Sequence, residues 1–393
     1  MNNMKIFQVP AATLGHDFVK CEEKYKFIPT DLEKLLNNTK SLLDEPYKNK
    51  NAYKIFRSFD PFSKHKPHIA KMSRNYNISN AWIKCYELIH GFHLVPVGST
   101  SDFVHFANAE LPGSFVCATH HYVNTMTDCK YKWIASSMIG AKNLDDYYKL
   151  YKNYPKRWLM DKKCDGDLTK LDVVMSLSKV AYESTSNGVD LYTSDLGFDV
   201  SDNYNDQENM HLRANIGQIL CGLLSLKTGG NMITKQYTYF NPVNISIIGG
   251  LSMVFTEVFI TKPLSSKQSN SEIYLVCKNM KKNKFYDQLI NELTKMLQET
   301  PYKFIKEINM SAPFVSLIRK SLYCIYRDQI KKIKTDISIY ESVKHHNISK
   351  ASYDAAVMCS KYRKGMIRKF NSNVYIMPIS YKARLHMKNI YRQ

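Results

Sequence analysis

From about residue 78 the chain alternates short apolar runs of strand length with longer stretches whose apolar residues recur every three or four positions. The strands read from this pattern are Phe103–Asn108, Trp133–Ser137, Asp190–Ser194, Asn231–Lys235, Glu257–Thr261 and Ile273–Lys278. Helices are read between them at 114–126, 143–152, 168–184, 207–227 and 241–254. Ser79 is placed to cap a further helix, Asn80 to His90, with Trp82, Cys85, Tyr86 and Ile89 on one side. Such alternation argues for an α/β fold around a parallel sheet. In the helix at 207–227, Leu212, Ile216, Ile219, Leu220, Leu223 and Leu224 form one stripe, and Gly229-Gly230 is expected to stop it. Asn231–Lys235 follows at once, so Lys235 falls at that strand's carboxyl end, and Asp195 likewise ends the strand 190–194. In open α/β sheets the ligand crevice lies beyond those ends.

The flanks read differently. Residues 1–74 mix short helical stretches, Thr30 to Leu43 the clearest, with turns at Pro46, Pro61 and Pro67. From 279 onward helices are expected at 283–299, 312–334 and 349–370, with tyrosines and lysines interleaved. The expected organisation is an N-terminal extension (1–74), a core domain (75–280) and a basic, mainly helical C-terminal region (281–393).

Charge sharpens this division. The formal net charge is +20. Residues 1–74 hold 14 Lys/Arg against 8 Asp/Glu, residues 75–278 hold 18 against 19, and residues 279–393 hold 23 against 8. A near-neutral middle with basic ends suits a catalytic core with extensions that grip a polyanion, although a lysine-rich soluble surface would look the same. No run of 18 apolar residues occurs and the N-terminus lacks a signal-peptide succession, so neither a membrane span nor secretion is expected. The nine cysteines (21, 85, 117, 129, 164, 221, 277, 324 and 359) lack paired spacing, which reads as reduced thiols in a cytosol-like compartment.

Five segments carry candidate chemistry. Phe106-Ala-Asn-Ala-Glu-Leu-Pro-Gly-Ser-Phe115 follows a strand and opens a helix, and its Pro-Gly turn lets backbone approach a ligand closely; a plain turn is the simpler alternative. In Cys164-Asp-Gly-Asp-Leu-Thr169, Asp167 can accept from an adenine amino group or cap the next helix. Asp190-Leu-Tyr-Thr-Ser-Asp-Leu-Gly-Phe-Asp-Val200 precedes Gln207-Glu208 at a helix start, and Thr228-Gly-Gly-Asn-Met-Ile-Thr-Lys235 comes next. The stretch from Thr261 to Lys278 contains Ser265-Ser266 and Ser271-Glu272-Ile-Tyr274. Cys117, His120, His121 and Cys129 are a zinc-like group, but their spacing fits no finger; Cys117, His120 and His121 fall in the helix after the Pro-Gly turn, where packing is expected, and no metal is required.

The ordered series resembles the FtsJ-like ribose 2′-O-methyltransferases, and within them the mRNA cap branch. It is especially similar to the methyltransferases of large cytoplasmic DNA viruses such as African swine fever virus. The resemblance covers roughly residues 78–280. Ser79-Asn-Ala-Trp-Ile-Lys84 matches the family's opening motif, and Asp-Leu-Gly-Phe-Asp-Val resembles the cap branch. It implies a catalytic tetrad of Lys84, Asp195, Lys235 and Glu272. Binding of S-adenosylmethionine is implied for Ala109, Glu110, Pro112, Gly113, Ser114, Phe115, Asp167 and Asp195. The implied fold is a Rossmann-like methyltransferase sheet, mostly parallel with its last strand antiparallel, between helical N- and C-terminal extensions. The chain departs from the family pattern at Asn80, Ala107 and Ser114, where an arginine, an acidic residue and a second glycine are usual.

The implied reaction takes a proton from a ribose 2′-hydroxyl and gives the oxygen a methyl group. Lys235 is assigned as proton acceptor, Asp195 and Glu272 as orienting carboxylates, and Lys84 as the group that steers the hydroxyl. A second lysine and a sulfonium would lower the pKa of Lys235 while the carboxylates would raise it, so the sequence leaves the sign open. The expected target is the first transcribed nucleotide of capped mRNA, in the cytoplasm of a host cell, a viral factory or a virion, with capping or transcription proteins as further partners. The competing readings are methylation of internal ribosomal or transfer RNA ribose, and a non-catalytic RNA-binding subunit.

Overall fold

The alternating pattern closes into one seven-stranded sheet that carries helices on both faces. The computed structural model describes residues 4–10, 18–19, 28–73, 78–139, 146–160, 164–185, 187–197, 205–299 and 310–378. The first elements are β1 (Lys5–Val9), β2 (Phe18–Val19), α1 (Thr30–Ser41), α2 (Asp44–Lys48), α3 (Lys50–Arg57), α4 (Lys66–Ser73) and α5 (Asn80–Phe92). The core follows with β3 (Asp102–Asn108), α6 (Ser114–Met126), β4 (Lys130–Ala135), α7 (Leu150–Asn153), α8 (Leu171–Glu183) and β5 (Val189–Ser194). It continues with α9 (Gln207–Ser225), β6 (Leu226–Gln236), α10 (Pro242–Val254), β7 (Phe255–Lys262) and β8 (Ile273–Met280). The last elements are α11 (Lys284–Gln298), β9 (Met310–Ser311), α12 (Ala312–Val343), α13 (Ile348–Met358) and α14 (Ser360–Asn373).

The strand order is β1-β7-β8-β6-β5-β3-β4. The pairs β4/β3, β3/β5 and β5/β6 are parallel, whereas β8 runs antiparallel to both β6 and β7, and β1 antiparallel to β7. From β3 the chain goes first to one side and then to the other, which puts the switch point of the sheet between β3 and β5. Successive residues face opposite layers. Phe106, Tyr192, Met232 and Leu275 join the core under α8 to α11, while Ala107, Leu191, Ile233 and Tyr274 join the core under α5 and α6. A third, smaller core joins Ala52, Ile55 and Phe56 of α3 to Ile339, Val343 and Ala351 of the C-terminal helices.

Several elements depart from the sequence reading. The edge strand β1 was not anticipated; it brings residues 5–9 into the sheet itself. Gly229-Gly230 does not stop a helix: α9 ends at Ser225, and Leu226 enters β6 directly, paired with Val189. The helix expected at 143–152 is Leu150–Asn153 only: residues 146–149 form a turn before it, and residues 140–145 lie outside the described residues. The helix expected to end at 334 continues to Val343, and the one expected at 349–370 is two helices that meet at Cys359. Eight cysteines are free thiols, and Cys21 lies outside the described residues. No helix among the described residues is long and apolar enough to cross a membrane.

Candidate active site at the carboxyl edge of the sheet

Lys84 sits one turn into α5, whose start is fixed by Ser79: its Oγ accepts the Trp82 amide at 2.9 Å. Trp82, Cys85 and Tyr86 bury the helix against α6 and leave Lys84 aimed at the sheet edge. Its Nζ donates to Glu272 Oε2 at 2.8 Å, and Ser266 Oγ donates to Glu272 Oε1 at 2.7 Å. Glu272 stands immediately before β8, and Lys235 lies near the end of β6. Because these strands are antiparallel, the start of one is beside the end of the other, and Lys235 is directly opposite Tyr274. Lys235 Nζ donates to the Asp195 main-chain oxygen at 2.7 Å and lies 3.4 Å from Asp195 Oδ1. The Tyr274 hydroxyl donates to that same Oδ1 at 2.8 Å. The four charged residues from distant segments therefore form two ion pairs at one edge, with Tyr274 tying β8 to Asp195.

Burial and charge act against each other here. Burial alone would raise the Glu272 carboxyl, but the Lys84 and Lys235 ammonium groups outweigh it and hold it well below the usual carboxylate range. Burial alone would lower Lys235; Asp195, Tyr237 and Glu272 outweigh it, so its ammonium is held above the ordinary lysine value. The sign left open by the sequence is thus upward in the free protein. Two flanking groups brace the arrangement. Burial pushes the Glu87 carboxyl up to about 7 against the opposing bonds from Ser265 and Leu264, and that carboxylate clamps the loop before Glu272 by accepting from the Leu264 and Ser265 amides. Lys262 Nζ donates to the main-chain oxygens of Glu272 (2.7 Å) and Asn270 (2.9 Å); burial lowers it to about 7, with Glu272 opposing.

The turn after β3 adjoins this edge. Ala109 and Gly113 adopt positive φ (50° and 112°), and a Cβ on Gly113 would come within 2.4 Å of Leu150 Cδ1. Pro112 lies inside the turn, and Ser114 Oγ is 2.9 Å from Ser79 Oγ, linking α6 to the helix that carries Lys84. Glu110 is turned inward: Oε1 accepts from the Phe115 and Val116 amides at 2.8 and 2.9 Å, capping α6. Burial, with Asp195 adding, raises its carboxyl to about 8 while these bonds oppose. Asp167 Oδ1 accepts from Thr169 N and Oγ1 before α8, so it caps that turn. Its loop presses on the end of β4, where a Cβ on Gly166 would meet the Ser137 carbonyl at 2.1 Å. Phe198–Val200 of the aspartate motif lie outside the described residues.

Sequence reasoning gave no role to Tyr274, although it stood within the quoted motif, nor to Tyr237, Ser266, Glu87 or Lys262. Ser266 and Lys262 bond within the stretch that carries Glu272, whereas Glu87 reaches that stretch from α5 through main-chain amides, for which no local pattern exists. Cys117, His120 and His121 lie on α6; His121 packs on Trp82 and its Nε2 is 3.0 Å from the Met377 carbonyl, while Cys129 Sγ donates to the Ser99 carbonyl.

Comparison with known proteins identifies the family. Residues 78–280 match the model of the FtsJ-like methyltransferases. A probable methyltransferase, EP424R, of African swine fever virus is 39% identical over 273 residues, covering 65% of this chain and 62% of that protein. An uncharacterised protein, L511, of Acanthamoeba polyphaga mimivirus is 36% identical over 53% of this chain and 27% of its own length. A cap-specific mRNA (nucleoside-2′-O-)-methyltransferase 2 of Drosophila melanogaster is 24% identical over 72% of this chain and 42% of its own length. The chain thus spans less than two thirds of the length of each of these relatives. With the family model matching more than half of its residues, the chain belongs to the FtsJ-like methyltransferase family, whose methyl donor is S-adenosylmethionine.

Proposed function

We propose that this chain methylates an RNA ribose at its 2′-oxygen, and that its target is the first transcribed nucleotide of capped mRNA. The observation that carries the reading is the pair of lysine–carboxylate bridges, Lys84–Glu272 and Lys235–Asp195, at one sheet edge. The cap-specific name of the Drosophila relative supports the choice of target.

The donor set suits S-adenosylmethionine. Asp195 offers a carboxylate to a cationic ligand just past β5, at the switch point where such crevices form. The turn Ala109–Phe115 offers main chain and the Ser114 hydroxyl, with Glu110 shaping it from within and Asp167 bounding it on the β4 side. When bound, S-adenosylmethionine supplies a methyl group already activated by a sulfonium.

The chain's own residues then have two tasks. Lys84, held by Glu272, fixes the ribose hydroxyl; alignment of this kind supplies up to roughly 7–11 kcal/mol in ideal intramolecular cases. Lys235 Nζ is the atom that takes the hydroxyl proton. An ammonium cannot accept it, so Lys235 must first lose its own proton, and a positive charge brought beside it favours that loss. Asp195 keeps the amine aimed, and Tyr274 keeps Asp195 aimed.

The test is methyl transfer to matched capped and uncapped RNAs, followed by mass analysis of the modified nucleotide. A 2′-O-methylated first nucleotide on capped RNA alone is the expected product. Equal transfer to uncapped RNA, or to internal positions, would move the reading to ribosomal or transfer RNA. Activity no greater than that of Lys235→Ala would leave an RNA-binding subunit.

A further inference from the structure

A cavity of about 1060 Å³ opens beside Glu272. One wall is the tetrad edge, with Glu272, Asn80 and Tyr237; the other is made by the N-terminal helices α1 to α3. The construction of α3 shows which of its faces is left for a ligand. Ala52, Ile55, Phe56 and Phe59 are buried in the core shared with the C-terminal helices. Tyr53 and Arg57, one turn apart, remain exposed, and both line the cavity. Tyr53 keeps 54% of its surface accessible. A single exposed aromatic needs no explanation. An aromatic ring and a guanidinium side by side, facing a cavity that ends on Glu272, form a nucleotide-binding pair: the ring face takes a base and the fork takes a phosphate.

The loop before Glu272 adds a cation to the same space. Lys267 Nζ donates to the Tyr47 hydroxyl at 2.8 Å and lies over the Tyr47 and Phe56 rings, with the buried Asp336 carboxylate within electrostatic reach. Of the acidic lining residues, Asp60 is already engaged, 3.6 Å from Lys66 Nζ and 3.3 Å from Asn80 Nδ2. We propose that this cavity seats the RNA strand flanking the methylated nucleotide, with Tyr53 stacking on a base and Arg57 and Lys267 meeting phosphates. The assignment rests on the tetrad being a ribose methylation site. Stacking on a ring face accepts any base, so the seat is tolerant of sequence.

The experiment uses the full chain, its Tyr53→Ala and Arg57→Gln variants, and Lys54→Gln as a control on the same helix outside the cavity. Binding of a short fluorescent single-stranded RNA, capped or carrying a 5′-triphosphate, is followed by anisotropy across a salt series, with methyl transfer measured in parallel. Tyr53→Ala is expected to weaken binding roughly 5-fold or more with an unchanged salt slope. Arg57→Gln is expected to weaken it and reduce the slope by about 0.7. Lys54→Gln should change neither by as much. Parent-like affinity and slope in both cavity variants, or a parent that binds no RNA, overturns the seat. If the parent methylates RNA while the variants bind as it does, the seat falls and the tetrad reading stands. If the variants lose binding in a parent that transfers no methyl group, the seat stands and the tetrad reading falls.

Discussion

In the proposed reaction Lys235 takes the proton, and its surroundings set a definite pH response. Its ammonium is held above the ordinary lysine value once the carboxylates outweigh burial, so the accepting form becomes more abundant as pH rises. The methyl-transfer rate of the full chain is therefore expected to climb with pH through the neutral range and into the alkaline one. A plateau beginning below about pH 7 would contradict an acceptor with an ordinary or raised lysine value. Lys235→Ala should lose about 10²- to 10⁴-fold in rate while still binding S-adenosylmethionine, as read by calorimetry. Stability carries a second signature. Burial raises Glu110 to about 8, although the Phe115 and Val116 amides oppose it. A carboxyl raised on folding contributes stability fully below its unfolded value of about 4.5 and loses that contribution as pH rises through its folded value. Melting temperatures measured from about pH 5 to about pH 9 should accordingly fall less in Glu110→Gln than in the parent. Of the site, the four charged residues were legible because each sits in a short local pattern at a strand or helix end. Tyr274 was visible but given no role, since a tyrosine in a strand is ordinarily packing. Glu87 was not legible, because its partners are main-chain atoms of a segment that meets it only in the fold, and Lys262 was not, because main-chain oxygens of the loop that follows it carry no side-chain signal.

At the level of elements, the segment after β6 depends on the start of α9. The Glu208 carboxylate accepts from the Phe240 and Asn241 amides, from Asn244 Nδ2 and from Thr238 Oγ1. Asn215 and Gln218, on the same helix, continue the chain of bonds to the Lys235 carbonyl. Glu208→Ala would strand several buried donors at once, each costing about 1–3 kcal/mol, so a loss of at least about 2 kcal/mol is expected in denaturant unfolding. A change under about 0.5 kcal/mol would mean that water replaces the carboxylate. The strands and helices of the core were legible because apolar residues recur with the right period on both sheet faces. The boundary after α9 was not: Gly229-Gly230 resembles a helix stop, yet Val189 across the sheet recruits Leu226 into β6. Pairing between strands outranked the local glycine signal there.

Across the whole molecule, the two ends are one structure. α12 packs on α1, on α3 and on β1, and the third core contains residues from both α3 and α13. The sequence divides 1–74 from 281–393 by composition, and composition does not register that they bury each other's apolar faces. Removing residues 281–393 would uncover the apolar face of α3 and weaken the helical wall of the cavity. We expect that truncated chain to melt well below the parent, by more than about 10 °C in scanning calorimetry, since burial of this kind is worth several kcal/mol. A truncated chain with the parent's melting temperature would show the ends to be separable. RNA gripping by the basic C-terminal region is better tested with Lys361, Lys364, Arg368 and Lys369, exposed on α14, changed together to glutamine. If they hold phosphates, the salt slope drops by up to about 0.7 for each lost contact.

The edge strand β1 gives the protein a timetable. It is made early, yet its hydrogen-bonding neighbour is β7, with Lys5 opposite Lys262. At about 5–20 residues per second, about 250 further residues keep β1 waiting for roughly 10–50 s on the ribosome. Until then the growing chain holds an unmatched ribbon, open to chaperones and to neighbouring nascent chains.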